Sequence, residues 1–158
     1  VDETPQPGED PGDLVQRLAM AKLAAVVEGH ETGLAADTVV VIDGEVLGKP
    51  GRPDWAADML HRLSGRTHEV VGGLAVCHGG HTISGVVRTR VTFRDLDDEE
   101  VDAYVATGEP LDKAGGYAIQ GGGADFIIEV DGCRENVVGL SVPAVLAALR
   151  SLGAHSAG

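Results

Sequence analysis

The stretch from Ala35 to Pro50 (Ala-Ala-Asp-Thr-Val-Val-Val-Ile-Asp-Gly-Glu-Val-Leu-Gly-Lys-Pro) constrains this chain more than any other. Val39 to Ile42 is a short β-branched run of the kind that fills a buried strand. Asp43-Gly44 is the dipeptide a two-residue type I′ turn needs, because both central positions take φ > 0. Val46 and Leu47 return as a second strand, which Gly48 and Pro50 stop. Counting back from the turn pairs Ile42 with Glu45 and Thr38 with Lys49. The open end of the hairpin then carries Asp37, Thr38 and Lys49 within roughly 5–8 Å of one another. A carboxylate and an ammonium there read either as a site or as a strand-end ion pair in water, worth only ~0–1 kcal/mol. In strict register Asp37 and Lys49 point to opposite faces, so a site requires a bulge or twist near Gly48.

Composition narrows what such a site can serve. At 158 residues and 43 % apolar, the chain suits one domain with a sizeable core, filled by Val, Leu, Ile and Ala because only five residues are aromatic. Acidic residues number 25 against 12 basic, a balance of −13 that argues against polymeric nucleic acid as a partner. A small anion would need locally concentrated cations. Most of the basic residues are Arg, which directs attention to the three lysines, Lys22, Lys49 and Lys113, as compact, flexible point charges. Cys77 and Cys133 have no paired spacing and read as free thiols of a reducing, cytoplasmic compartment, with a single bridge left open. No apolar run approaches the ~18 residues of a membrane span, and the start does not read as a signal peptide, so no membrane partner is expected.

In chain order, residues 1–12 read as a loop, and Asp13 as the cap of a helix reaching about Glu28. On that helix Leu14, Val15, Leu18, Ala21, Ala25 and Val26 share one arc, and Lys22 falls inside it. A lysine there either meets an anion or snorkels to solvent. Pro53 opens a second helix with a core stripe of Trp55, Ala56, Met59, Leu60 and Leu63. Residues 69–77 and 82–93 read as long strands joined at His78-Gly79-Gly80-His81, where a hairpin turn explains the glycines better than a zinc site does. Arg88, Arg90, Thr92 and Arg94 alternate on one face, which reads as solvated. Asp97 with Glu100 starts a third helix in capping-box fashion. Residues 108–125 are rich in Gly and Ala yet carry Lys113, Tyr117 and Gln120. Such a segment either offers backbone N–H groups to a phosphate or is a flexible loop. Residues 126–130 form another strand. Ser141 caps a last helix with Val142, Val145, Leu146, Leu149 and Leu152 on its apolar face.

Taken together these segments resemble the Maf family of nucleoside triphosphate pyrophosphatases. The resemblance runs through Asp2-Glu3, Leu18-Ala19 with Lys22, Ala36-Asp37-Thr38-Val39-Val40 and Leu47-Gly48-Lys49-Pro50. It continues through Leu63-Ser64-Gly65-Arg66 with His68, Thr107-Gly108-Glu109-Pro110, Asp112-Lys113-Ala114-Gly115, Tyr117 with Ile119-Gln120-Gly121, and Asn136 to Leu140. It implies an α/β fold, an elongated mixed sheet flanked by helices with a central cleft, like inosine triphosphate pyrophosphatases. It also implies one Maf-like domain over residues 1–153, with residues 154–158 as a tail.

The implied activity is hydrolysis of dTTP and UTP, and of modified pyrimidine nucleotides, to the monophosphate and pyrophosphate. Asp37 is then the proton acceptor, and Lys22, Lys49 and Lys113 bind the triphosphate. Thr38 and Gln120 help to set base specificity. Glu3 and Asp37 hold a divalent cation, Mg²⁺ or Mn²⁺, and the assembly to test is a homodimer. Two other readings stay open: a catalytically weakened nucleotide-binding regulator of septum formation, and a pyrophosphatase for 7-methyl-GTP or other modified nucleotides. The family opens with a strand and a Ser-x-Ser-Pro-Arg-Arg motif that does not occur here. The expectation is therefore a truncated chain or a degraded relative, lacking the first strand and exposing a sheet edge.

Overall fold

The computed structural model describes residues 5–29, 31–138 and 141–153, with Val138 described in its backbone only. The fold is α/β, as the resemblance implies. Its strands are β1 Gly33–Ile42, β2 Glu45–Leu47, β3 Thr67–His78, β4 His81–Phe93 and β5 Ile127–Asp131. They form one sheet in the order β2-β1-β3-β4-β5. The expected mixed sheet is corrected, because the described strands pair antiparallel. For two of the four pairs the reason lies in the connections: two-residue turns join β1 to β2 and β3 to β4, and such turns can only reverse the chain. The helices α1 Pro11–Val26, α2 Pro53–Leu63, α3 Asp98–Ala106, α4 Arg134–Val138 and α5 Val142–Ser151 flank the sheet. The chain divides into two compact units, residues 1–38, 71–87 and 139–158 forming one, and residues 39–70 and 88–138 the other.

In the first unit α1 starts earlier than the sequence suggests. Asp10, not Asp13, is its N-cap, accepting from the Gly12 amide at 2.9 Å. Pro11 and Gly12 look like loop residues, but proline at the first helical position costs nothing, since its missing N–H would be unsatisfied there anyway. The buried face is Gly12, Leu14, Val15, Leu18, Ala19 and Leu23, while Ala25 and Val26 are exposed. At ~100° per residue that face lies about 60–80° round from the expected arc, and Lys22 falls near its centre. The helix rests on β3 at Gly73, where a Cβ would stand 2.1 Å from the Val15 carbonyl oxygen. Ala19 and Leu23 pack with Ala75 and Cys77, and Val145 of α5 packs with Leu74 and Val76. Ser141 caps α5 as expected, through the Ala144 amide at 3.3 Å, but Val142 and Leu146 are exposed.

In the second unit the opening hairpin forms as read. Asp43 and Gly44 take φ of 53° and 75°, and the register is Val40↔Leu47, Val41↔Val46 and Ile42↔Glu45. Arg66 donates to the Asp43 carboxylate at 2.6 Å, and that bond holds the carboxyl below its usual pKa. Val40, Ile42 and Leu47 bury into a core with Leu60, Leu63, Val70, Val91, Phe93 and Val101. Phe93, Tyr104, Tyr117 and Phe126, four of the five aromatic residues, join His68 in edge-to-face contacts at 4.8–5.9 Å between ring centres. Trp55, expected in the α2 stripe, is 51 % exposed and lies under the Arg52 guanidinium instead. Asp97 caps α3 through the Glu100 amide at 2.8 Å. The Glu100 carboxylate does not complete a capping box; it accepts from Arg94 at 2.7 Å.

Candidate functional site

Lys22 and Asp37 meet in the first unit. The burial of the α1 face carries Lys22 inward, and β1 presents Asp37 to it, so that Nζ donates to Oδ1 at 2.7 Å. The Asp37 side chain keeps 15 % of its exposure and that of Lys22 keeps 30 %. The open choice for Lys22 is thereby resolved: its ammonium meets an anion. A half-buried, charge-assisted bond of this length fixes one carboxylate oxygen of a side chain that is still partly open to solvent. Thr38 follows in β1, half-buried. Glu3, expected as a metal ligand, lies outside the described residues. Among the described residues no group of three or more His, Cys, Asp or Glu side chains could hold a metal ion.

In the second unit the segments that carry the other two lysines are tied together through their backbones. Near Gly48 there is neither a bulge nor a continuing ladder. β2 ends at Leu47, and residues 48–50 leave the sheet. The freed backbone is taken up elsewhere: the Gly115 amide donates to the Gly48 carbonyl at 3.2 Å, and the Gly51 amide to the Leu111 carbonyl at 2.8 Å. These two bonds bracket Lys49 on one segment and Lys113 on the other. Gly115 makes the approach feasible, with φ of 72° and a position where a Cβ would meet Val40 at 2.7 Å. Both lysines are exposed, and Lys113 Nζ lies 3.3 Å from Asp112.

The glycine-rich stretch, open between a ligand loop and a flexible one, is a run of three 3₁₀ turns at Glu109–Asp112, Ala114–Gly116 and Gly122–Phe126. Between the last two, Gly121 N–H bonds to the Ala118 carbonyl at 3.2 Å and closes a turn with Ile119 and Gln120 at its centre. Ile119 is buried and Gln120 exposed. Tyr104 and Glu109, which sequence reasoning left without a role, hold this turn. Tyr104 Oη donates to Glu109 Oε1 at 2.9 Å and accepts from the Ala118 amide at 2.9 Å. Glu109 Oε1 also accepts from the Gly122 amide at 3.1 Å. Burial pushes the Tyr104 phenol's pKa up, and the Glu109 carboxylate adds to that, so the phenol keeps its proton and donates. The signal in the sequence was the triple glycine. A Cβ on Gly121 would stand 2.0 Å from Glu109 Oε1, and one on Gly122 would stand 2.9 Å from the Tyr104 ring.

Behind this segment the Tyr117 hydroxyl and His68 Nε2 share a hydrogen bond of 2.6 Å. His68 is 2 % exposed, and its Nδ1 has no partner among the described residues. Burial lowers the imidazole to about 4 and pushes the Tyr117 phenol's pKa up. The alternating arginines are largely tied to acids at the surface: Arg88 to Glu69 at 2.8 Å, Arg94 to Glu100 and Asp125 at 2.7 and 2.8 Å. His78 Nδ1 meets Thr32 Oγ1 at 2.6 Å beside a Gly79-Gly80 turn with φ of 59° and 82°. Cys77 is buried and Cys133 half-buried, and the two are not joined in a disulfide.

A family model described as Maf-like protein matches residues 1–152. Over 158 aligned residues the chain is 49 % identical to a dTTP/UTP pyrophosphatase of Geobacter sp. (strain M21), covering 98 % of this chain and 82 % of that relative. It is 51 % identical over 156 residues to one of Anaeromyxobacter dehalogenans, covering 96 % and 79 %. It is 45 % identical over 152 residues to one of Bacillus cytotoxicus, covering 95 % and 80 %.

Proposed function

The chain belongs to the Maf-like protein family, and from that premise we propose that it is a nucleoside triphosphate pyrophosphatase acting on dTTP and UTP. The observation that carries the reading is the 2.7 Å pair of Lys22 and Asp37, two charged groups on matched motif positions joined on a half-buried face. Residues 1–153 act as one Maf-like domain, with residues 154–158 as a tail, and the reaction takes place in the cytoplasm.

The chemistry follows from these groups. Lys22 holds Asp37 through Oδ1 and presents Oδ2 to a water. Asp37 takes the proton as the water oxygen bonds to the α-phosphorus. The bond from that phosphorus to the bridging oxygen breaks, and pyrophosphate leaves with the electron pair. Lys49 and Lys113 bind the phosphate oxygens. A protein of charge −13 can hold a tetra-anion only where cations are focused, and the backbone tie between the two segments supplies that focus. Thr38 and Gln120 face the base.

A divalent cation fits the donor set. The Asp37 carboxylate offers hard oxygen, and Mg²⁺ is usually held by one or two carboxylates with substrate phosphates rather than by an all-protein cage. Asp37, with Glu3 as the second carboxylate, would hold it. When bound it neutralises charge developing on the phosphoryl oxygens. The test is release of pyrophosphate from a panel of dTTP, UTP, dCTP, dGTP and 7-methyl-GTP with Mg²⁺ or Mn²⁺. Pyrophosphate from dTTP and UTP ahead of the others is expected. Orthophosphate release, or a preference for 7-methyl-GTP, overturns the reading. Sedimentation of the same preparation tests the homodimer.

A further inference from the structure

Gln120 stands at the tip of its turn, and the groups that hold the turn lie two residues to either side. Ala118 is held through its amide on Tyr104 Oη, and Gly122 through its amide on Glu109 Oε1. The two side chains are joined to each other by the 2.9 Å phenol–carboxylate bond. Their own positions are fixed in turn. The Tyr104 ring packs edge-on against Phe126 at 5.1 Å, and the Glu109 amide donates to Thr107 Oγ1 at 3.2 Å. The glycines at 121 and 122 are what let a carboxylate and a ring approach the backbone so closely.

We propose that Tyr104 and Glu109 are positioning residues that set the reach of Gln120 and so determine base selectivity, a role that rests on the reading of Gln120 as the base contact. A carboxamide offers one donor and one acceptor. Thymine and uracil share a matching edge, the O4 acceptor beside the N3–H donor. Cytosine presents an amino donor and an N3 acceptor in the same places. A side chain carried on an unrestrained turn can shift to follow either base, whereas one carried at a fixed reach discriminates. The clamp supplies the fixed reach. Its hydrogen bonds go to the Ala118 and Gly122 amides, on either side of Gln120, so it acts on the choice of base and not on the cleavage.

The variants are Tyr104→Phe, which keeps the ring against Phe126 and removes both hydroxyl bonds, and Glu109→Ala. Glu109→Gln retains an acceptor oxygen for both donors and serves as the rescue, and Gln120→Ala sets the scale. The measurements are kcat/KM for dTTP, dCTP and a base-free deoxyribose triphosphate, and the affinity of the non-hydrolysable α,β-imido analogue of dTTP and of dCTP by calorimetry. In Tyr104→Phe and Glu109→Ala the preference for dTTP over dCTP is expected to fall about tenfold, as for the loss of one or two hydrogen bonds that orient the reader. Glu109→Gln should restore most of it. The base-free substrate should stay within about twofold of wild type, which a merely destabilised fold would not give.

A retained preference in both clamp variants, with Gln120→Ala having lost it, overturns the proposal. A preference that survives Gln120→Ala overturns the reading of Gln120, and the clamp's role with it. A wild type that binds the analogues selectively without turnover overturns the enzymatic reading but leaves the clamp decided by calorimetry. Should Tyr104→Phe fail to fold, Glu109→Ala against Glu109→Gln carries the comparison alone.

Discussion

His68 makes a pH-dependent contribution to stability whose size can be worked out. Unfolded, its imidazole titrates near 6.5; folded, burial against Phe93 and Tyr117 brings it to about 4. A depressed histidine favours the neutral form in the fold. Between the two values the unfolded chain therefore binds the extra proton, and stability falls as pH falls. The contribution is fully present above about 6.5 and is lost as pH drops towards 4. Going from pH 7 to pH 5 costs about 2 kcal/mol, and the loss saturates near ~3 kcal/mol below pH 4. Urea unfolding at several pH values, on wild type and on His68→Gln, isolates the effect. Glutamine can still bond to the Tyr117 hydroxyl, and the other titrating groups cancel in the difference. The variant should be less stable at pH 7 and nearly flat relative to wild type's fall between 7 and 5. An equal fall in both proteins would refute the reasoning and make the buried imidazole an ordinary one.

The remaining predictions rest on packing, satisfaction and charge. Gly73→Ala puts a methyl 2.1 Å from the Val15 carbonyl oxygen and must push α1 off β3, lowering unfolding free energy by about 2–3 kcal/mol in thermal or urea melts. Asn136, 2 % exposed, donates to the Val70 carbonyl and to Thr89 Oγ1 at 3.2 Å each. Asn136→Ala should cost about 2–4 kcal/mol in the same assay, because buried polar groups lose their partner. Lys22→Met removes the cation that holds Asp37, and steady-state kinetics should show kcat/KM for dTTP down at least about tenfold, whereas a snorkelling lysine would leave it unchanged.

Where local chemistry is decisive the sequence could be read closely. Asp43-Gly44 requires positive φ twice, and the turn it dictates sets the hairpin register as found. Pro53 and Asp97 opened their helices as expected. Lys22 was legible because a cation on an apolar face needs a counter-charge, and Asp37 supplies it. Elsewhere tertiary packing overrode the local pattern. The α1 face turned from Ala25 and Val26 to Ala19 and Leu23 because the helix settles on Gly73, a contact no helical wheel contains. Trp55 matched a helical stripe, yet its ring found Arg52 outside the core. The tie at Gly48 depends on a bond between distant segments, Gly115 to Gly48, and the turns of residues 109–126 on side-chain bonds 13 and 14 positions apart, from Glu109 and Tyr104. No periodicity announces these. The α4 helix was missed for a simpler reason: at five residues it is too short to show a repeat. The lysines could be singled out by their scarcity, but not the backbone route that joins two of them.

The central claim is that Asp37, held by Lys22, takes the proton when a nucleoside triphosphate is cleaved between its α and β phosphates. Its most direct test is the rate of pyrophosphate release from dTTP by wild type and by Asp37→Asn, an isosteric change that removes the base. The expected result is a fall in kcat of about 10²–10⁴ with little change in folding, as for loss of a general base. Equal rates in the two proteins would contradict the account.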